Sequence, residues 1–146
     1  MKYILPLIIL FTLSNCQKDE CLSGDCQNGM GKLKVAYSHV YEGEFKNGKM
    51  HGKGKILFED GKKYEGEWHE DKPHGFGKSL WPNGKIYEGE WKNGDPHGKG
   101  KIFYPNGKAY EGEVRKGIPE GRGKEIDNDG IIIYEGEWQN GDPIAK

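Results

Sequence analysis

Three histidines, His51, His74 and His97, stand in one repeating slot of the chain, each directly before a Gly-x-Gly pair, and Glu120 takes that slot once. Imidazoles recurring in register suggest metal binding or acid–base work. Carboxylates recur as well: Glu42 and Glu44 are repeated by Glu88 and Glu90, a pairing that resembles glycosidase equipment. The Gly52-Lys53-Gly54 and Gly98-Lys99-Gly100 triplets suggest phosphate loops, and Cys16, Cys21 and Cys26 are the only thiols.

None of these patterns completes a reaction centre. Successive histidine slots lie two strands apart, roughly 10 Å at about 4.8 Å per strand, too far to share an ion or pass a proton directly. The Gly-x-Gly triplets are not followed by a helix, the context a phosphate cradle needs. The paired carboxylates recur in every unit and are matched by lysines rather than enclosed by a cleft. Cys21-x4-Cys26 has no neighbouring His or Cys to complete a metal set. The reading is therefore no catalytic residue, no metal and no cofactor, with repetition serving architecture.

The elements that carry these residues form an array. Tyrosines opening a Tyr-Glu-Gly-Glu block stand at 41, 64, 87, 110 and 134, spacings of 23, 23, 23 and 24. Within Tyr87–Ala109, Tyr87, Gly89 and Trp91 alternate with Glu88 and Glu90, so rings and carboxylates take opposite faces of one strand. Gly98 to Tyr104 alternates in the same way and reads as a second strand. Lys92 to His97 reads as a loop between them, and Asn106-Gly107 as the tight turn in which both central residues take positive φ. Each unit is thus a β-hairpin. Its strand glycines leave room for rings from neighbouring strands to lie flat on the backbone.

The succession YEGEW, NG, HGKGK, NG closely resembles the MORN repeat, the "membrane occupation and recognition nexus" motif, from Tyr41 to about Pro143. The resemblance implies an all-β fold: an elongated, twisted, single-layer antiparallel sheet of stacked hairpins. It further implies roles in scaffolding and membrane-proximal assembly, with any catalysis in a separate domain.

The divisions expected are a signal peptide over 1–15, an anchor and tether over 16–26, and an array over 27–146. The array comprises a half-repeat at 27–40, repeats at 41–63, 64–86, 87–109 and 110–133, and a terminal half-repeat at 134–146. Lys2 followed by an apolar run from Ile4 to Leu13 is too short to span a bilayer core of about 30 Å and reads as a signal-peptide core. Leu13-Ser14-Asn15-Cys16 resembles the lipobox of bacterial lipoproteins, although Asn15 departs from the usual Gly, Ala or Ser. That resemblance implies cleavage before Cys16 and acylation there, and so an exported protein held to a cell-envelope membrane, at the outer membrane or the periplasmic face. Ordinary secretion with Cys16 as an incidental thiol is the alternative. Cys21 and Cys26 then form an even pair, either a small disulfide loop or two reduced thiols in a linker.

With 22 Lys+Arg against 23 Asp+Glu, the chain has no global attraction for nucleic acid. Its expected partner is an unknown protein, peptide or glycan, bound through the rings of Tyr41, Tyr64, Trp68, Tyr87, Trp91, Tyr110 and Tyr134. The alternative is phospholipid headgroups, bound through Lys53, Lys55, Lys62, Lys63, Lys99 and Lys101.

The fourth unit is irregular. Val114 replaces the aromatic of other units, Asp127 replaces another, and one residue is added after Gly130, for which a bulge is expected. Ile118, Ile126, Ile131, Ile132 and Ile133 read either as an exposed patch recruiting a partner or as cover for the sheet's end. The terminal strand from Tyr134 is expected to be a free edge, and edge or end contacts are a route to a homo-oligomer.

Overall fold

In the computed structural model, residues 19–35 and 39–144 are described. The expected signal peptide and the expected lipidation site at Cys16 lie outside them. Twelve strands follow in chain order: β1 Glu20–Gly24, β2 Met30–Val35, β3 His39–Lys46, β4 Lys49–Leu57, β5 Lys63–His69, β6 Lys72–Leu80, β7 Ile86–Lys92, β8 Asp95–Phe103, β9 Ala109–Arg115, β10 Ile118–Ile126, β11 Ile132–Gln139 and β12 Asp142–Pro143. They form one open antiparallel sheet in which every strand lies beside its sequence neighbours, so each connection is a hairpin.

Two kinds of turn alternate along the array. At one end of the strands Asn47-Gly48, Glu70-Asp71, Asn93-Gly94, Lys116-Gly117 and Asn140-Gly141 all have positive φ at both residues, the signature of two-residue type I′ hairpins. At the other end only the glycine is left-handed, as at Gly107, and Gly107 N–H donates to the Tyr104 carbonyl while Tyr104 N–H donates to Lys108. That is a type I turn closed by a left-handed glycine. The sequence reading placed the double positive φ at Asn106-Gly107 and a six-residue loop at Lys92–His97. Instead Asn93-Gly94 is the two-residue turn, and Asp95, Pro96 and His97 belong to β8.

Each of the type I′ hairpins β3–β4, β5–β6, β7–β8 and β9–β10 contains a bulge that bends it. Gly89 pairs with Gly100 and Trp91 with Pro96, leaving Glu90 alone opposite His97, Gly98 and Lys99. Gly98 absorbs the excess at φ 73°, and the Glu90 carboxylate accepts a hydrogen bond from Lys99 N–H at 3.2 Å. Gly52, Gly75 and Gly121 repeat this conformation. Beyond the bulge the I′ tips stack on one another, with Gly94, Gly117 and Gly141 N–H groups donating to the carbonyls of Pro73, Pro96 and Pro119.

The bend folds the tips over one face. Lys85 Nζ donates to the Gly117 carbonyl at 3.3 Å, although the two residues lie at opposite ends of their strands. On a flat sheet roughly 3.3 Å per residue would hold them more than 20 Å apart. The rings between sheet and tips are therefore enclosed, and a single open sheet acquires a core of Tyr41, Phe45, Ile56, Tyr64, Trp68, Tyr87, Trp91, Ile102, Tyr110, Val114 and Trp138.

The two ends carry pairing beyond the repeat pattern. Glu20–Gly24, within the stretch expected to be a tether, pairs with β2, and Cys21 and Cys26 form the disulfide, one of the two readings of that pair. The terminal strand is not a wholly free edge, because β12 pairs Pro143 with Trp138 and Asp142 with Gln139. The added residue of the fourth unit is accommodated by a bulge: Glu125 pairs with Tyr134 and Ile126 with Ile132, leaving Ile133 without an opposite number.

Candidate functional site

The rings form the architecture of the array. Tyr87 lies across two glycines: a Cβ on Gly100 would come within 2.4 Å of the ring, and one on Gly89 within 2.8 Å of the hydroxyl. Its hydroxyl donates to the Glu90 carbonyl at 2.7 Å, and Tyr41, Tyr64, Tyr110 and Tyr134 make the equivalent bond. The indole N–H of Trp91 donates to the Gly77 carbonyl in the preceding unit, and its ring meets Tyr64 at 4.7 Å and Tyr87 at 5.5 Å. Trp68 repeats both contacts with Gly54, Tyr41 and Tyr64.

Tyr41 and Tyr110 are 0% exposed, and Tyr64, Trp68, Tyr87 and Trp91 are buried with them. The rings expected to form a binding surface are therefore the core and offer no contact area; only Tyr134, on the last long strand, is half-exposed. Burial pushes the hydroxyls of Tyr41, Tyr64, Tyr87 and Tyr110 up, to about 12 at Tyr110, where the Glu113 charge adds to the shift.

The accessible face is the charged one. Strand pairing sets Lys32, Glu42, Lys55, Glu65, Lys78, Glu88, Lys101, Glu111, Lys124 and Glu135 side by side, so signs alternate at every strand. Ion pairs form along this ladder, such as Lys55–Glu42 at 3.5 Å, Lys78–Glu88 at 3.4 Å and Lys124–Glu111 at 3.3 Å. Exposed pairs of this kind contribute about 0.2–1 kcal/mol each, so the ladder adds little to stability. Gly89, Gly100, Gly112, Gly123 and Gly136 floor an open trough of 1560 Å³ across the C-terminal half of this face. A smaller recess of 370 Å³ continues it over Gly43, Gly54 and Gly66. Phe76 lines both.

A row of apolar residues borders the ladder on the same face. Val40 pairs with Leu57, Leu80 with Ile86, Ile86 with Phe103, and Ile126 with Ala109 and Ile132. Ile126 and Ile132 thus belong to a row along the array that is interrupted by Lys63 between Leu57 and Leu80. Ile118 does not join them: it lies at the opposite end of β10, about 26 Å away along the strand, beside Gly141. The single patch expected over Ile118, Ile126 and Ile131–Ile133 divides into two.

The lysines proposed for lipid headgroups do not cluster. Lys53, Lys55, Lys99 and Lys101 are interleaved with glutamates in the strand register, Lys63 lies between Leu57 and Leu80, and Lys62 lies over the rings of Phe58 and Trp81. His51 and His74 are linked by a residue the repeat logic missed, His69, whose ring is 5.2 Å from the first and 5.7 Å from the second. His69 occupies a different slot of its unit, which hid the relation; the signal was a histidine where Lys46 and Lys92 stand in neighbouring units. Among the described residues no three His, Cys, Asp or Glu side chains converge on a metal-sized site.

The MORN-repeat family model matches residues 41–63, 64–86, 87–109, 110–132 and 134–143. The gap between the last two matches is Ile133, the residue extruded at the β10–β11 bulge. No curated protein matches the chain significantly.

Proposed function

This chain belongs to the MORN-repeat family, and from that premise we propose that it is a non-catalytic scaffold, tethered to a bacterial cell-envelope membrane through acylated Cys16 and binding a protein partner along its charged face. One observation carries the binding part of this reading. Of the two sheet faces, the ring-bearing one is spent on the core, and the other offers a continuous glycine-floored trough with alternating charges beside an apolar row. Glycine lets a partner approach the backbone closely, the charges fix register, and the apolar row supplies buried area. The tether part rests on the lipobox resemblance at Cys16. Family membership supports a scaffold in place of an enzyme.

Cross-linking in membranes with the paired substitution Lys101→Glu/Lys124→Glu tests the binding face. The cross-linked partner band of the wild-type protein is expected to be lost from the variant and kept in a control altered at the opposite turns, Asn83→Ser. Partner bands unchanged by the charge reversal would refute it. The tether is tested by the intact mass of the membrane-extracted protein, expected to begin at Cys16 with acyl chains. An unmodified start elsewhere would remove it.

A further inference from the structure

Among the four full repeats one breaks the pattern of the charged face. The residue between the two glycines of the second strand is Lys53, Lys99 or Arg122 in three of them and Phe76 in the other, while the opening half-repeat carries Met30 there, opposite Glu44. Arg122 shows what the cation does: its Nε meets Glu137 Oε1, opposite it on the next strand, at 3.0 Å. The residue opposite Phe76 is Glu90. On the other side Phe76 N–H donates to Glu67 Oε1 at 3.3 Å, so the ring stands between two carboxylates. Glu67 has Lys53 opposite it on its other side, whereas Glu90 has no cation opposite it, and neither makes an ion pair among the described residues.

Phe76 is 64% exposed and lies where the large trough and the smaller recess meet. An exposed ring at the centre of the proposed interaction face, opposite a carboxylate that lacks the cation facing Glu67, Glu113 and Glu137, is complementary to a cation carried on an apolar stem. The π face attracts the charge, the carboxylates accept its N–H groups, and the stem covers the ring. The same face already contains such a contact, with Lys101 Nζ 5.1 Å over the Phe103 ring.

We infer that Phe76, Glu67 and Glu90 form a socket for an arginine or lysine side chain of the protein partner, which supplies in trans the cation that the other units carry themselves. This rests on the proposed use of the charged face for binding and specifies the partner's chemistry there: a basic residue at its centre.

The test titrates the full chain with N-acetyl-arginine-N-methylamide and with the neutral isostere N-acetyl-citrulline-N-methylamide, read by amide and aromatic NMR shifts. The arginine probe is expected to move the signals of Phe76, Gly77 and Glu90 while citrulline does not. Phe76→Lys, which fills the slot as other units do, is expected to weaken binding roughly tenfold or more, with its spectrum otherwise retained as proof of folding. Phe76→Leu keeps an apolar side chain without a π face and is expected to fall between. Equal shifts with citrulline, shifts centred elsewhere on the ladder, or unchanged binding by Phe76→Lys would overturn the socket. If the socket fails while Lys101→Glu/Lys124→Glu still abolishes cross-linking, the charged face stands without it; arginine binding with charge-insensitive cross-links refutes the broader reading alone.

Discussion

Gly100→Ala is the substitution on which the packing account is most exposed. A Cβ at that position would lie 2.4 Å from Cε2, 2.5 Å from the hydroxyl and 2.6 Å from Cζ of Tyr87. The ring has nowhere to withdraw, because it is 1% exposed, abuts Trp91 and is pinned by its bond to the Glu90 carbonyl. Overpacking a tight core costs about 1–3 kcal/mol, and expelling a large aromatic costs about 3–5 kcal/mol. We expect a loss of about 3 kcal/mol, read by urea unfolding on tryptophan fluorescence. Gly94→Ala serves as the comparison: nothing lies within 4 Å of its Cβ, but its φ is 98°, so only the backbone cost of about 1–3 kcal/mol applies. The deciding measurement is the double mutant. With Tyr87→Ala the obstructing ring is gone, and adding Gly100→Ala should then cost about 1 kcal/mol or less, a coupling of about 2 kcal/mol. Additive losses, or a single-mutant loss below about 1 kcal/mol, would refute the ring-over-glycine argument.

Alkali should unfold the array. The Tyr110 hydroxyl is raised from 10.0 in the unfolded chain to about 12 by burial, so its contribution is fully present below pH 10 and is lost as pH rises toward 12. A circular-dichroism titration should show stability falling above about pH 10, and a flat profile to pH 12 would contradict the burial of the rings. Trp91→Phe removes the indole bond to the Gly77 carbonyl and should cost about 1–3 kcal/mol in urea unfolding. Ser79 occupies the slot of Ile56 and Ile102, with a buried hydroxyl that has no hydrogen-bond partner among the described residues; Ser79→Ala should raise stability by about 1 kcal/mol, and a loss would show an overlooked partner. Reducing the Cys21–Cys26 bridge removes a short-loop constraint of about 2 kcal/mol. Hydrogen exchange should then quicken in Glu20–Gly24 and Met30–Val35 but not in the central hairpins.

Much of this was readable from residue order because the array repeats one local solution. Alternation in Tyr87–Trp91 fixed which side chains share a face, and the strand glycines announced rings lying on the backbone. The turn types were not readable from the dipeptide alone. Asn93-Gly94 and Asn106-Gly107 are identical in composition, yet the first joins strands directly and the second ends a type I turn. Pro105 before the second favours this, because its fixed φ suits the first central position of a type I turn, but Phe58–Gly61 and Asp127–Gly130 form the same turn without proline. The least visible feature was the bulge opposite Glu90, whose single residue faces three and which turns the tips over the rings. Without that bend a single sheet leaves the tyrosines exposed, and this is why they read as a binding surface when they are the core. Glu20–Gly24 escaped notice because a short edge strand held by a disulfide needs no alternation. Phe76 was visible only as a departure from the unit pattern, and its meaning required knowing which face is free.

The claim that the charged, glycine-floored face is the one covered by a partner can be tested by lysine acetylation read by mass spectrometry, comparing the protein in native membranes with the purified full chain. The account predicts selective protection in membranes of Lys78, Lys101 and Lys124 on the ladder, with Lys46, Lys72 and Lys92 beside the hairpin tips reacting equally in both. Equal reactivity of the ladder lysines in both settings, or protection confined to the tips, would contradict it.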